Sequence, residues 1–174
     1  MLSLLVMNPE DINTVQKRVY FKSYKNLKQI EKALKSVTEL NDSKIQLSVL
    51  GKFPKIYADD TKQREAIIKN MEIYWNELLG VPAQFGTFDN PEIGAVFVVG
   101  PLTTIFLNKI NGKNLGDMTT GIYGILRGLG ADTYQAKNYV MNLNNEEYLM
   151  IMRGYDSNWD GLDSALKKMI EHES

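Results

Sequence analysis

The spacing of apolar positions predicts a strand, a helix and a second strand in the first third of the chain. Residues 17–23 are rich in β-forming side chains, and residues 25–40 repeat apolar side chains every three or four positions, as one face of a helix requires. Residues 44–50 alternate apolar and polar side chains, which indicates a strand with one buried face. This order is typical of a βαβ unit, whereas the pattern of residues 1–16 is ambiguous.

A longer helix is predicted over residues 60–79. Asp60 is a candidate N-cap with Gln63 three positions further on, and Gly80 followed by Pro82 ends the helix. The apolar stripe of this helix consists of Ile67, Met71, Tyr74, Trp75 and Leu78. Residues 83–93 show no period, and we expect them to form a loop.

The middle of the chain, residues 94–130, is rich in glycine. It contains a predicted buried strand at 95–99, a short helix opened by Pro101 and running through Ile110, and a helix over 117–129 that Gly130 ends. Glycine at this density either cradles a ligand or lets backbones approach closely. The Walker lysine with its Ser/Thr partner and the dinucleotide glycine spacing are both missing, which disfavours a nucleotide site.

Three of these glycines recur at helical spacing. Gly121, Gly124 and Gly128 are three and four positions apart, so they share one stripe of a helix and do not form a phosphate-binding loop. A glycine stripe permits short backbone approach, and it therefore predicts tight packing of this helix against a neighbouring element.

The last part of the chain predicts a helix, a strand and a C-terminal helix. Asp132 with Gln135 forms a second N-terminal signal, and residues 148–153 are an apolar strand. The apolar positions of the C-terminal amphipathic helix are Trp159, Leu162, Leu166, Met169 and Ile170.

These elements predict one α+β domain over residues 1–174. With the helices of about 60–80 and 101–130 taken as insertions, the core of residues 17–153 has the ferredoxin-like order βαββαβ. Such a fold places its helices mainly on one face of an antiparallel sheet. The other face must be covered by the inserted helices or by a second subunit, and we therefore predict a homodimer.

Parts of the chain resemble a family of bacterial general-stress or heat-induced proteins of uncharacterised function. The stretches that carry the resemblance are VYFKSYKNLKQIEKALKSV, KIQLSVLGKF and LRGLGADTYQAKNYVMNLNNEEYLMIMRG, within residues 18–153. The glycine-rich middle is more polar than the glycine-alanine runs of that family, and Asn144-Asn145-Glu146 stands where a glycine often precedes the last strand. The resemblance implies a ferredoxin-like core and a stress-linked role, and it supplies no catalytic residues.

Composition narrows the classes of function. The 174 residues include no cysteine, which excludes disulfides, thiolate catalysis and zinc–cysteine sites. The single histidine, His172, lies at the C-terminal end, so a histidine triad or a multi-histidine metal site is excluded. The net charge of −1 disfavours nucleic-acid binding. Without a secretory signal or a predicted transmembrane segment, we expect a cytoplasmic protein of a bacterium-like cell.

A weak calcium-loop pattern lies near the C-terminus. Asp156, Asn158 and Asp160, followed by Gly161, match the first half of an EF-hand loop. Lys167 stands where the bidentate glutamate should be, and an apolar stripe begins inside the loop. The alternative interpretation is a helix start, in which these side chains cap the first turn.

Aromatic side chains give the other candidate site. Tyr74, Trp75, Phe97, Phe106 and Tyr123 could wall a ligand pocket between the sheet and the helices of residues 60–79 and 101–129. Packing in the core or at a dimer interface is the alternative interpretation. The close carboxylate pairs, such as Asp59-Asp60 and Glu146-Glu147, lie at element boundaries, where acidic residues cap helices or solvate turns.

Two hypotheses of function follow from this pattern. The first is a stress-associated cytoplasmic protein that acts by self-association or by binding a partner, without catalysis and without a cofactor. The second is a small-ligand-binding protein or an enzyme that uses the aromatic pocket.

Overall fold

The computed structural model describes residues 17–40, 45–53, 60–80, 82–155, 159, 162 and 164–168 of the chain. Its strands and helices alternate along most of this length. In chain order they are β1 (Lys17–Tyr24), α1 (Leu27–Leu40), β2 (Gln46–Lys52), α2 (Thr61–Leu79), β3 (Phe85–Asn90), β4 (Gly94–Val99), α3 (Thr103–Phe106), β5 (Lys109–Ile110), β6 (Lys113–Asn114), a 3-10 helix (Leu115–Asp117), α4 (Gly121–Leu129), α5 (Thr133–Asn144) and β7 (Tyr148–Tyr155). Residues 164–168 are also helical.

Five strands form one sheet in the order β1-β7-β2-β4-β3, and each neighbouring pair is antiparallel. The helical connections therefore join parallel strands that have an antiparallel strand between them. The helix α1 carries the chain from β1 past β7 to β2, and α2 carries it from β2 past β4 to β3. The segment from α3 to α5 returns it from β4 past β2 to β7. The fold is thus α+β with an antiparallel sheet.

Both faces of the sheet are covered by helices of this chain. Side chains alternate between two apolar cores along β7, where Met150 and Met152 lie in the first core and Leu149 and Ile151 in the second. The first core includes side chains of α1 and α2, and the second includes side chains of α3, α4 and α5. Cover by the helices of residues 101–130 was one predicted alternative, and the sheet needs no second subunit for this purpose.

Two sequence predictions in this region are wrong. The segment 83–93 is not a loop, because Phe85–Asn90 pairs with β4 as the edge strand β3. The helix expected from Pro101 through Ile110 is limited to Thr103–Phe106 and is followed by the small β5–β6 hairpin.

The strand β2 is buried more deeply than its alternating pattern predicts. Ser48 faces the second core, where its hydroxyl accepts a hydrogen bond from the Leu102 N–H at 3.2 Å. The polar residue Ser48 therefore forms a buried hydrogen bond and does not face the solvent.

The helix caps are where the sequence predicts. Asp60 accepts hydrogen bonds from the N–H groups of Lys62 and Gln63 at the start of α2. Asp132 and Gln135 form a reciprocal capping box at the start of α5. Gly130 ends α4 with φ of 119°, in the left-handed region that glycine adopts without strain. Within the described ranges, no helix is long and apolar enough to cross a membrane.

Candidate ligand-binding cleft

A cleft of about 520 Å³ opens beside the second core, between the turn after β3 and the helices α4 and α5. We call it the α4–α5 cleft. Its lining residues are Glu92, Ile93, Thr119, Thr120, Tyr123, Lys137, Val140, Met141 and Asn144. This volume lies within the range of about 300–1,000 Å³ that small-molecule sites occupy.

The floor of the cleft is apolar and its rim is polar. Ile93 is 4% exposed and belongs to the second core, against which Tyr123 and Val140 also pack. Met141 is 57% exposed although its side chain is large and apolar. The rim carries hydroxyl groups of Thr119 and Thr120 together with one charge of each sign. An apolar floor with a few polar groups around it is the usual composition of a small-ligand site.

The helix α5 supplies almost half of the lining from one face. Lys137, Val140, Met141 and Asn144 are at positions i, i+3, i+4 and i+7, so they lie above one another along the helix. The C-terminal end of this helix is held by Lys52, whose Nζ donates to the Asn144 carbonyl oxygen at 3.1 Å. A lysine at that end also interacts favourably with the helix dipole.

Asn90 fixes the opposite wall of the cleft. Its side chain is buried, and its Nδ2 donates to the carbonyl oxygens of Gly116 at 2.9 Å and Met118 at 3.0 Å. Its Oδ1 accepts from the N–H groups of Glu92 at 3.0 Å and Ile93 at 3.3 Å. One amide therefore ties the β3–β4 turn, which supplies Ile93, to the segment that leads into Thr119 and α4.

Asp117 strengthens the same connection. Its Oδ1 accepts from the Asp89 N–H at 3.0 Å, and its Oδ2 accepts from the Asn114 N–H at 3.3 Å. Phe88, whose ring lies against Gly116, stacks on Phe106 with ring centroids 5.5 Å apart. The wall of the cleft is thus held by buried rings as well as by hydrogen bonds.

The structure divides the five aromatic residues predicted as a pocket wall between opposite faces of the sheet. Trp75 and Phe97 are buried in the first core with ring centroids 5.3 Å apart, and Tyr74 packs beside them. Phe106 is buried in the second core. Tyr123 lines the α4–α5 cleft. The five side chains therefore do not surround one common space, and their role in ligand binding stays a prediction.

Tyr74 has a separate polar contact, with its hydroxyl donating to Glu31 Oε1. Burial raises the pKa of the Tyr74 phenol well above its ordinary value, and the hydrogen bond to Glu31 raises it further. Burial also raises the pKa of Tyr148, to which the charge of Glu146 contributes. A raised pKa keeps both phenols protonated, and the hydrogen bond of the Tyr74 hydroxyl to Glu31 links α2 to α1.

The predicted glycine stripe is confirmed at one of its three positions. A Cβ on Gly121 would collide with the backbone carbonyl of Leu115, so this glycine permits the tight approach of α4 to the 3-10 helix. A Cβ on Gly124 or Gly128 would meet nothing within 4 Å. The prediction of close packing is wrong for these two residues, because they lie on the exposed side of α4.

The calcium-loop prediction at Asp156, Asn158 and Asp160 lies outside the described residues. Trp159, within the same stretch, is buried in the first core together with Leu162 and Leu166. In the part of the chain that the structure describes, no group of three or more His, Asp or Glu side chains could hold a metal ion.

The sequence did not predict the cleft, its Lys137 or the supporting residue Asn90, and it predicted Val140 only as an inward-facing position of the helix. The signal for Lys137 and Val140 was present, because Met141 interrupts the polar face of α5 at helical spacing from both. Asn90 gave no signal, since its partners are 26 and 28 residues away along the chain.

No protein-family model matches the chain, and comparisons with curated proteins and with solved structures gave no match either.

Proposed function

We propose that this protein binds a small, largely apolar ligand in the α4–α5 cleft and performs no chemistry on it. The observation that carries the proposal is the cleft itself, which combines a volume of about 520 Å³ with an apolar floor. Met141 supports it, because a large apolar side chain that is 57% exposed at the mouth of a cleft gains free energy when a ligand covers it.

The proposal rests on a cleft that is formed before any ligand arrives. Four hydrogen bonds of Asn90 and the capping box of α5 fix its two walls. A preformed site spends little binding free energy on ordering side chains and loops.

A neutral fluorescent probe, N-phenyl-1-naphthylamine, tests the proposal. We expect saturable fluorescence enhancement with the wild-type chain and a loss of about tenfold or more in affinity for Met141→Glu, since this change places a charge against the apolar probe. Ile73→Glu is the matched control, because Ile73 is 50% exposed on α2, which covers the other face of the sheet. Absence of saturable binding, or equal loss in both variants, would contradict the proposal.

A stress-linked role in the cytoplasm of a bacterium, with self-association or partner binding, is the second candidate. One support is the resemblance of stretches within residues 18–153 to bacterial general-stress or heat-induced proteins. The other is the position of β1, which pairs only with β7 among the described strands. An edge strand can accept a further strand from a second copy. Sedimentation velocity at micromolar concentration is the test, and a monomer without association would count against a homodimer.

The ferredoxin-like core is likewise a proposal. The sequence predicted it from β1, β2, β4 and β7 with α2 as an insertion, whereas the strands that support it are β2, β3, β4 and β7, with α2 as one of its helices. Parallel strands separated by an antiparallel one are characteristic of split β-α-β units. The helices α2 and α5 lie on opposite faces of the sheet, which differs from the one-sided helix layer expected for that core.

A further inference from the structure

We propose that the ligand of the α4–α5 cleft is an amphipathic monocarboxylate, with its apolar chain on the floor and its carboxylate at Lys137. This inference rests on the proposed function and adds the chemical class of the ligand. Its basis is the order of side chains along α5, together with the charged side chains and the hydroxyl groups that line the cleft.

Lys137 lies on the same face of α5 as the apolar side chains of the floor. Lys137 precedes Val140 and Met141 by three and four residues, so its side chain starts one turn before theirs on the same face of α5 and lines the same cleft. A ligand that covers Met141 and Val140 therefore ends beside a cation. An apolar chain with a terminal anion matches this arrangement.

The positive charge of Lys137 is available to a ligand. Among the described residues, no carboxylate oxygen forms an ion pair with Lys137, whereas Arg64 and Asp89 do form one at 3.7 Å. Lys137 also donates no hydrogen bond to the part of the protein that the structure describes. Pairing with a ligand carboxylate therefore breaks no existing contact of this group.

The rim also contains hydroxyl groups that suit a carboxylate. Thr120 precedes α4, and its hydroxyl donates no hydrogen bond to the part of the protein that the structure describes. Thr119 lies beside it. Glu92 is the opposing charge, because it lines the same cleft from the β3–β4 turn. Its carboxylate disfavours an anion by repulsion, and it sets a limit on the affinity.

Three eight-carbon probes with different head groups test the inference: octanoate, octan-1-ol and octyltrimethylammonium. Each is used to displace N-phenyl-1-naphthylamine at pH 7.5, where octanoate is ionised. For Lys137→Met, we expect octanoate to lose about fivefold in affinity, the scale of a partly exposed ion pair. Octan-1-ol should bind this variant as it binds the wild type, and octyltrimethylammonium should bind it more tightly.

Two further variants test whether the effect on octanoate affinity depends on charges inside the cleft. Lys113→Met removes the same charge from the exposed β5–β6 hairpin and should leave the affinity for octanoate unchanged. Glu92→Gln should tighten octanoate about twofold, because it removes the repulsive charge while the residue remains polar. The effect of Lys137→Met on octanoate should also shrink at high salt, which screens exposed charges.

The failures of the two proposals can be told apart. If octan-1-ol and octanoate both fail to displace the probe, the proposed function is overturned together with this inference. If octan-1-ol binds and Lys137→Met leaves octanoate unchanged, the cleft remains an apolar site and only the monocarboxylate is overturned. Tighter binding of octyltrimethylammonium than of octanoate to the wild type would overturn it as well.

Discussion

At the scale of single residues, the sequence is most informative where a side chain forms hydrogen bonds to residues near it along the chain. Asp132 and Gln135 could be assigned as a capping box because both partners of each hydrogen bond lie within three residues. Asn90 could not be assigned, because its amide joins segments that are distant along the chain.

The glycines of α4 should respond differently to the same substitution. Gly121→Ala should lower the free energy of unfolding by about 1–3 kcal/mol, because its Cβ collides with the Leu115 carbonyl and the backbone must shift. Gly124→Ala should raise it by about 0.5–1 kcal/mol, since the position is open and alanine restricts the unfolded chain. Urea denaturation measures both values, and destabilisation of equal size would show that the stripe packs as one unit.

The contact between Tyr74 and Glu31 should make stability depend on alkaline pH. The raised pKa of Tyr74 means that its contribution is fully present below about pH 10, the ordinary pKa of tyrosine. Above that pH, the unfolded chain loses the phenolic proton while the folded chain keeps it, so the free energy of unfolding falls.

Tyr74→Phe should therefore cost about 1–2 kcal/mol at neutral pH. The difference in the free energy of unfolding between this variant and the wild type should decrease as pH rises above about 10. Tyr134→Phe is the control, because Tyr134 is 75% exposed. If the difference in the free energy of unfolding stays constant across this range of pH, the proposed effect of the raised Tyr74 pKa is contradicted.

At the scale of elements, long helices and buried strands were predicted correctly, while the edge strand β3 was not. The sequence FGTFDN of β3 contains glycine, aspartate and asparagine, which have low strand propensity. It forms a strand because all six of its residues pair in register with β4. Pairing of this kind depends on a partner strand and leaves no period in the segment itself.

The connection between β3 and the start of α4 should weaken when Asn90 is changed. Asn90→Asp replaces a donor of two buried hydrogen bonds with an oxygen that faces the carbonyls of Gly116 and Met118. We expect the free energy of unfolding to fall by about 1–3 kcal/mol, the cost of buried polar groups without partners. The affinity for N-phenyl-1-naphthylamine should fall as well, since the segment that leads into Thr119 is no longer tied to the β3–β4 turn.

The matched control for Asn90→Asp is Asn108→Asp, which introduces the same charge at an exposed position. It should change neither stability nor probe binding. Unchanged probe binding in a folded Asn90→Asp protein would show that this amide does not position the cleft.

At the scale of the whole molecule, the assignment of helices to faces of the sheet was beyond the sequence. The helices α2, α4 and α5 each have an apolar stripe, but such a stripe does not indicate which face of the sheet the helix covers. The five aromatic side chains predicted as one wall are divided for this reason. The structure has no common pocket of these five side chains and instead has the α4–α5 cleft beside the second core. Because helices cover both faces of the sheet, an uncovered face is no longer a reason to expect a dimer.

The account depends most on the claim that the α4–α5 cleft binds a small apolar ligand. Titration of the isotope-labelled protein with octan-1-ol, followed by two-dimensional amide NMR, tests it most directly. We predict saturable shifts at Ile93, Tyr123 and Met141, and none at Trp75 and Leu79, which lie in the first core. Shifts confined to the first core, or no saturable shift in any part of the protein, would contradict the claim.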